Sequence, residues 1–244
     1  MAIAFVQAAN NSTVGTATTV TITTTTGNLL VLAVYEGVNA TSTISVSDTA
    51  GNTWTQVNSY VTSSGDRFAM LYSPGASSIT SVTATWSGNI SATVPVVVIE
   101  FSGVATGTPL DSNAGNPATS SGTTNSTTLT SGALTTSNAV DVLIFGLGIG
   151  STTTGMTAGT NFTLNANATT SNQRCSITYR IVAATQSGAT TSDTWNTGSS
   201  NRTSIFAAFA NVNQSSNPAF EDDSFNASTS FPLIQQAEPI ISVF

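Results

Sequence analysis

Residues 45–54 read SVSDTAGNTW and place Asp48, Gly51 and Asn52 within five positions. Together with Asp66 in the following loop, Asp48 and Asn52 form an oxygen-bearing set that a hard cation such as calcium would use. The same residue types also build an Asx turn between two strands, with glycine supplying a positive φ. A calcium loop draws on more carboxylates over a longer segment. The turn is therefore the expected form, and no metal or cofactor is expected.

Two carboxylates, Glu36 and Glu100, lie on apolar runs. Glycoside hydrolysis would need such a pair about 5–10 Å apart across a cleft. A buried carboxylate also persists by pairing with a cation, and Arg67 or Arg180 is the expected partner of Glu100. The single Cys175 sits in the alternating segment RCSITYRIV and reads as a small core residue. There is no histidine, which removes Ser-His and Cys-His nucleophile pairs. All four cations are arginines, so no lysine is present for a Schiff base or phosphate loop. No catalytic set is expected, and the chain reads as a non-enzyme. Trp54, Trp86, Trp195, Tyr35, Tyr60 and Tyr72 would either line a sugar-binding groove or pack in the core, and core packing is the expectation.

The net charge is −7, and four scattered arginines supply no basic stripe for nucleic acid. No run approaches the ~18 apolar residues of a membrane helix. The first residues, MAIAFVQAANNST, lack the basic and apolar regions of a secretory signal. The composition nonetheless suits an outward-facing surface, rich in Thr, Ser, Asn and Gly. A virion component made in the host cytoplasm reconciles the two; export by a signal-less route is the alternative.

Alternation and β-branched residues dominate, and threonine suits both a pleated strand and a wet face. Strands are predicted near 3–8, 18–24, 28–36, 43–47, 53–60, 67–72, 79–86 and 93–102. A second set is predicted near 126–130, 139–148, 161–166, 174–183, 190–196 and 203–212. LLVLAV, VPVVVIEF, VLIFGLGI and SIFAAFANV are too apolar to have a wet face and read as central strands. Four anchors recur at nearly constant spacing: Trp54 and Phe162, Arg67 and Arg174, Trp86 and Trp195, Phe101 and Phe209. The spacing, about 108 residues, implies pseudo-repeats over about 1–104 and 110–212. The expected fold is an all-β, two-sheet antiparallel jelly-roll sandwich over 1–212 in which the halves interleave, with two tandem immunoglobulin-like sandwiches as the alternative. Loop 103–126 reads as an ordered crossover.

The succession GNLLVLAV, SVSDTAGNTW, RFAMLYS, VVVIEFSGV and DVLIFGLGIG resembles the concanavalin A-like jelly-roll structural proteins of phages and bacteria. The likeness runs over about residues 3–212 and lies in fold motifs. It implies a sandwich and a structural role.

Residues 213–244 form a C-terminal arm with an acidic run, Glu221-Asp222-Asp223, and the apolar residues Phe231, Leu233, Ile234, Ile240, Ile241, Val243 and Phe244. Such an arm is expected to dock on a neighbouring subunit, as a strand added to a sheet edge. The expected role is a virion structural protein, such as a capsid decoration or head- or tail-associated subunit. Its partners would be copies of itself or other virion proteins. A carbohydrate-binding adhesin module that takes surface glycans, or an extracellular filament subunit, is the alternative.

Overall fold

The computed structural model describes residues 1–37, 42–62, 65–151, 154–170 and 172–212. The arm, including Phe231, Leu233, Ile234, Ile240, Ile241, Val243 and Phe244, lies outside the described residues. The described chain is all-β. Its N-terminal half carries β1 (Ala4–Thr21), β2 (Asn28–Glu36), β3 (Ile44–Asp48), β4 (Thr55–Val61), β5 (Arg67–Ala76) and β6 (Ser81–Ser102). Its C-terminal half carries β7 (Ala118–Gly122), β8 (Ser126–Thr130), β9 (Asp141–Ile149), β10 (Thr163–Thr169), β11 (Arg174–Val182), β12 (Ser192–Ser199) and β13 (Arg202–Ala210).

The first sheet has the order β1-β6-β2-β5-β4, all antiparallel, with β3 also on β6. β6 is 22 residues long, and β1 follows it from Ala4↔Ser102 to Thr21↔Ser81. Register shifts on either side of Gly15 curl this strand pair. Gly15 has φ 126°, a value a side chain would oppose. The curl brings Val20, Val82, Ala84 and Trp86 over Leu30, Leu32, Val34, Val96 and Val98 in one core. Thr18, on the far arm of the curl, donates its hydroxyl to Val94 O on the near arm at 3.1 Å.

The second sheet repeats the plan, in the order β7-β13-β9-β11-β10, with β8 and β12 as a separate pair. In this half the long antiparallel pair is broken, since β7–β8 replace β1 and β12–β13 replace β6. The β3 position is reduced to one bridge, Thr157↔Thr194. The four sequence anchors take matching places. Trp54 and Phe162 precede β4 and β10, and Arg67 and Arg174 open β5 and β11. Trp86 and Trp195 fill the two outer cores, while Phe101 and Phe209 share the central one.

Among the described residues no strand of one half pairs with a strand of the other, and only the single bridge Val104↔Asn211 joins them, so the halves do not interleave. They meet face to face: β10 lies against β1, β11 against β6, β9 against β2, and β13 against β5 and β4. The arrangement has an approximate twofold axis between β2 and β9. The reason lies in the strands. β2, β9 and β13 are buried at every position, so each large sheet is apolar on both faces and needs cover on both. Leu29, Val31, Tyr35, Phe68, Met70, Val97, Ile99, Val142, Ile144, Ile177, Ile205 and Phe209 form the shared core. The crossover at 103–117 is ordered, as expected, through the bridges Val104↔Asn211 and Leu110↔Phe209 and the Asn116 Nδ2 bond to Ala208 O at 3.1 Å.

Gly146 and Gly148 leave room on β9 for this contact. A Cβ on Gly148 would stand 2.2 Å from Tyr35 Cδ2, and one on Gly146 2.6 Å from Met70 Cε. Tyr35 is fully buried and has nowhere to retreat. Gly148→Ala should therefore lower the unfolding free energy by about 1–3 kcal/mol, the usual cost of overpacking. Urea denaturation checks this; an unchanged midpoint would refute the packing described here.

Candidate functional site

Asp48 closes the turn between β3 and β4. Oδ1 accepts the backbone N–H of Ala50 (2.9 Å) and Asn52 (3.1 Å). Oδ2 accepts Asn52 Nδ2 (3.1 Å) and Trp54 Nε1 (2.8 Å). Gly51 has φ 71°, as the turn requires. Burial pushes the Asp48 pKa up, but the Trp54 indole and the amide donors outweigh it and hold the carboxyl below its ordinary value. Asn52 is also engaged, with Oδ1 accepting Ser77 N at 2.8 Å. Asp66 stands elsewhere. Ser77 follows the end of β5 and Asp66 precedes its start, and those ten residues span about 30 Å at ~3.3 Å each. The calcium set Asp48, Asn52 and Asp66 therefore does not come together, because strand β5 separates its members. Among the described residues no group of three or more acidic, Cys or His side chains gathers.

Glu36 and Glu100 are also kept apart. Glu100 faces Leu30 in register, six residues along β2 from Glu36, about 20 Å at ~3.3 Å per residue. A glycosidase pair is excluded by that distance. Glu100 does not take an arginine, contrary to expectation. Its Oε1 accepts Thr25 N and Asn28 Nδ2, each at 2.7 Å, and its Oε2 accepts Gln7 Nε2 at 2.6 Å. It therefore anchors the loop between β1 and β2. Arg67 instead faces Glu36 across β2–β5. Burial raises the Glu36 pKa, and the Ser42 hydroxyl and Arg67 oppose that rise.

Trp54, Trp86, Trp195, Tyr35 and Tyr72 pack into the cores, whereas the half-buried Tyr60 shares a 3.0 Å hydrogen bond with the Ser121 hydroxyl. Trp86 and Trp195 are buried, and Trp86 Nε1 donates to Gly15 O at 2.7 Å. Trp54 packs against the Trp86 core and Tyr72 lies edge-on to Phe209 at 5.4 Å. Cys175 is fully buried and burial raises its thiol pKa, so it is held as an unreactive thiol.

Three aspartates escaped the sequence reading. Asp111 accepts Asn113 N, Ser137 N and Asn138 N, each at 2.9 Å, and Asn138 Nδ2 at 2.8 Å, and so stitches the crossover to the loop before β9. Asp141 and Asp193 are fully buried. Burial first, then the Asp111 charge, pushes Asp141 up to about 7. Burial likewise takes Asp193 to about 7, against a 3.0 Å bond from Gly159 N–H and the pull of the Thr178 hydroxyl.

Among the described residues, a surface open to a partner lies at the opposite end of β5 from Asp66. An open groove of about 270 Å³ is lined by Met1, Thr26, Gly27, Asn28, Gly103, Val104, Thr106 and Val212. Its walls are pinned by Asn211 Nδ2 to Met1 O (2.8 Å) and Val212 N to Gly103 O (3.1 Å). Met1 and Val212 are exposed at 78% and 39%. The 32 residues of the arm begin directly after Val212. The edge strands β4 and β10 each pair on one side only among the described residues.

No family model, curated protein or solved structure matches the chain.

Two outcomes follow. Asp48→Ala strips four hydrogen bonds from one turn and should cost about 1–3 kcal/mol, while a chelator leaves the wild-type melting temperature unchanged. Asp141 and Asp193 keep their protons in the folded state at pH values where the unfolded chain has released them. Their contribution is complete below about pH 4 and is lost as pH rises through about 7, by up to about 1.4 kcal/mol per pH unit and group. Asp193→Asn removes one such group. Its stability relative to wild type should climb between pH 4 and 7 in denaturant titrations; a pH-independent difference would contradict the assignment.

Proposed function

We propose that this chain is a non-enzymatic structural subunit of a virion, of the capsid-decoration or head- or tail-associated kind. The observation that carries the reading is the groove at the root of the arm. Apolar surface at Met1 and Val212 lies where a segment bearing Phe231, Leu233, Ile234, Ile240, Ile241, Val243 and Phe244 begins. Apolar surface and an apolar extension on one molecule favour association between copies.

The ionisable side chains support the same reading. Asp48, Glu100 and Asp111 hold loops through filled hydrogen bonds, and Glu36 is set against Arg67. Both oxygens of Asp48, Glu100 and Asp111 are engaged, which leaves these three poor acids, bases or ligands. The Thr- and Ser-rich exterior with few charges suits a particle surface, and the resemblance to phage and bacterial concanavalin A-like proteins agrees with it. The subunit would be made in the host cytoplasm, with other copies or virion proteins as partners.

The test is deletion of residues 213–244. If the arm joins subunits, the full chain elutes as an oligomer in size-exclusion chromatography with light scattering, and the truncated chain elutes as a folded monomer. An unchanged oligomeric state after truncation would overturn the role given to the arm.

A further inference from the structure

Arg67 and Arg174 hold the same place in the two halves, as the first residues of β5 and β11. In the N-terminal half Arg67 faces a carboxylate, Glu36, on the central strand. In the C-terminal half the central-strand partner of Arg174 is Ile149, and Ile149 is also the register partner of Arg202 on β13. Directly paired residues project from the same face of a sheet. Arg174 and Arg202 therefore flank Ile149 on the side that faces the β8–β12 pair, with Cα atoms about 10 Å apart at two strand spacings.

Both side chains are buried, at 5% and 4% exposure. Arg202 Nη1 donates to Thr124 O at 2.5 Å and to Ser199 O, which leaves Nε without an acceptor. Arg174 Nη2 donates to Thr169 Oγ1 at 3.1 Å, and its Nε and Nη1 have no acceptor. Ser176, two residues along on the same face as Arg174, has a buried hydroxyl with no partner. Burial alone pulls both guanidinium pKa values down, and no carboxylate among the described residues counters it. A buried cation without a counter-ion costs several kcal/mol. The N-terminal half, where Glu36 supplies the missing charge, is an internal comparison for the same site.

We propose that Arg174 and Arg202 form an oxyanion site, taking a phosphate- or carboxylate-type group at the end of the C-terminal half. Guanidinium N–H groups are strong donors to both kinds of oxygen. This site stands independently of the assembly role. The group has two possible sources: a free anion, or the carboxylates of Glu221, Asp222 and Asp223 in the arm.

Inorganic phosphate is the probe, titrated into the full chain against sodium chloride of equal ionic strength and followed by calorimetry and melting temperature. Wild type should bind saturably and melt higher. Arg180→Gln, an equal charge change on the same strand, should behave as wild type. Arg174→Gln should weaken binding about 10–100-fold, as loss of a charged hydrogen-bond donor predicts. Arg174→Lys keeps the charge without the fork; should the Gln variant not fold, the Lys variant must still bind more weakly than wild type. Absence of saturable binding below about 50 mM, or equal binding by wild type and the Arg174 variants, would overturn the site. The triple variant E221Q/D222N/D223N identifies the source. Tighter phosphate binding means the arm's carboxylates occupy the site, and unchanged binding means a free anion does.

Discussion

The apolar contact between the six-stranded and the five-stranded sheet governs the rest of the molecule. β2 and β9 are apolar on both faces, so neither large sheet can turn one side to water. Each half covers its outer face locally, by the curled β1–β6 pair in one case and the β8–β12 pair in the other. The inner faces are left with only each other. That constraint explains why the crossover at 103–117 is pinned to β13 and why glycines stand opposite Tyr35 and Met70.

The polar interior follows the same division. Where a loop must close over a sheet end, an aspartate or glutamate collects its free N–H groups, as Glu100, Asp48 and Asp111 do. Where a carboxylate lies under the sheet cover without enough donors, as at Asp141 and Asp193, it keeps its proton toward neutral pH. Both protonated cases fall in the C-terminal half. The two halves share a strand plan but not an electrostatic one.

Much of the strand plan was legible in the sequence, because alternation and fully apolar runs are local signals. Two of the four anchor pairs were legible for another reason: Trp86, Trp195, Phe101 and Phe209 are large, buried and hard to replace. The junction of 3–8 with 18–24 into one strand was not legible. Asn10, Asn11 and Ser12 carry no apolar pattern, yet their backbone pairs with Pro95, Val96 and Val97. β7 was missed likewise, since Ala118–Gly122 is a polar edge ladder on β13. Facing rather than interleaved halves could not be read, because the choice depends on contacts about a hundred residues apart. The partners of Glu100 were hidden for the same reason, although Asp111-Ser112-Asn113 carried a readable Asx signal. Arg174 and Arg202 gave no sign of sharing a neighbour, as their meeting point is a register on β9.

The approximate twofold between β2 and β9 has a further consequence. In an ordinary homodimer such a seam opens on dilution and reseals with any copy at hand. Here one polypeptide supplies both sides, so the seam is permanent at every concentration, and each side can drift in sequence without harming a mirror image of itself. Growth into anything larger has to start from surfaces that do not obey that axis, and so from ends and edges that differ between the two lobes.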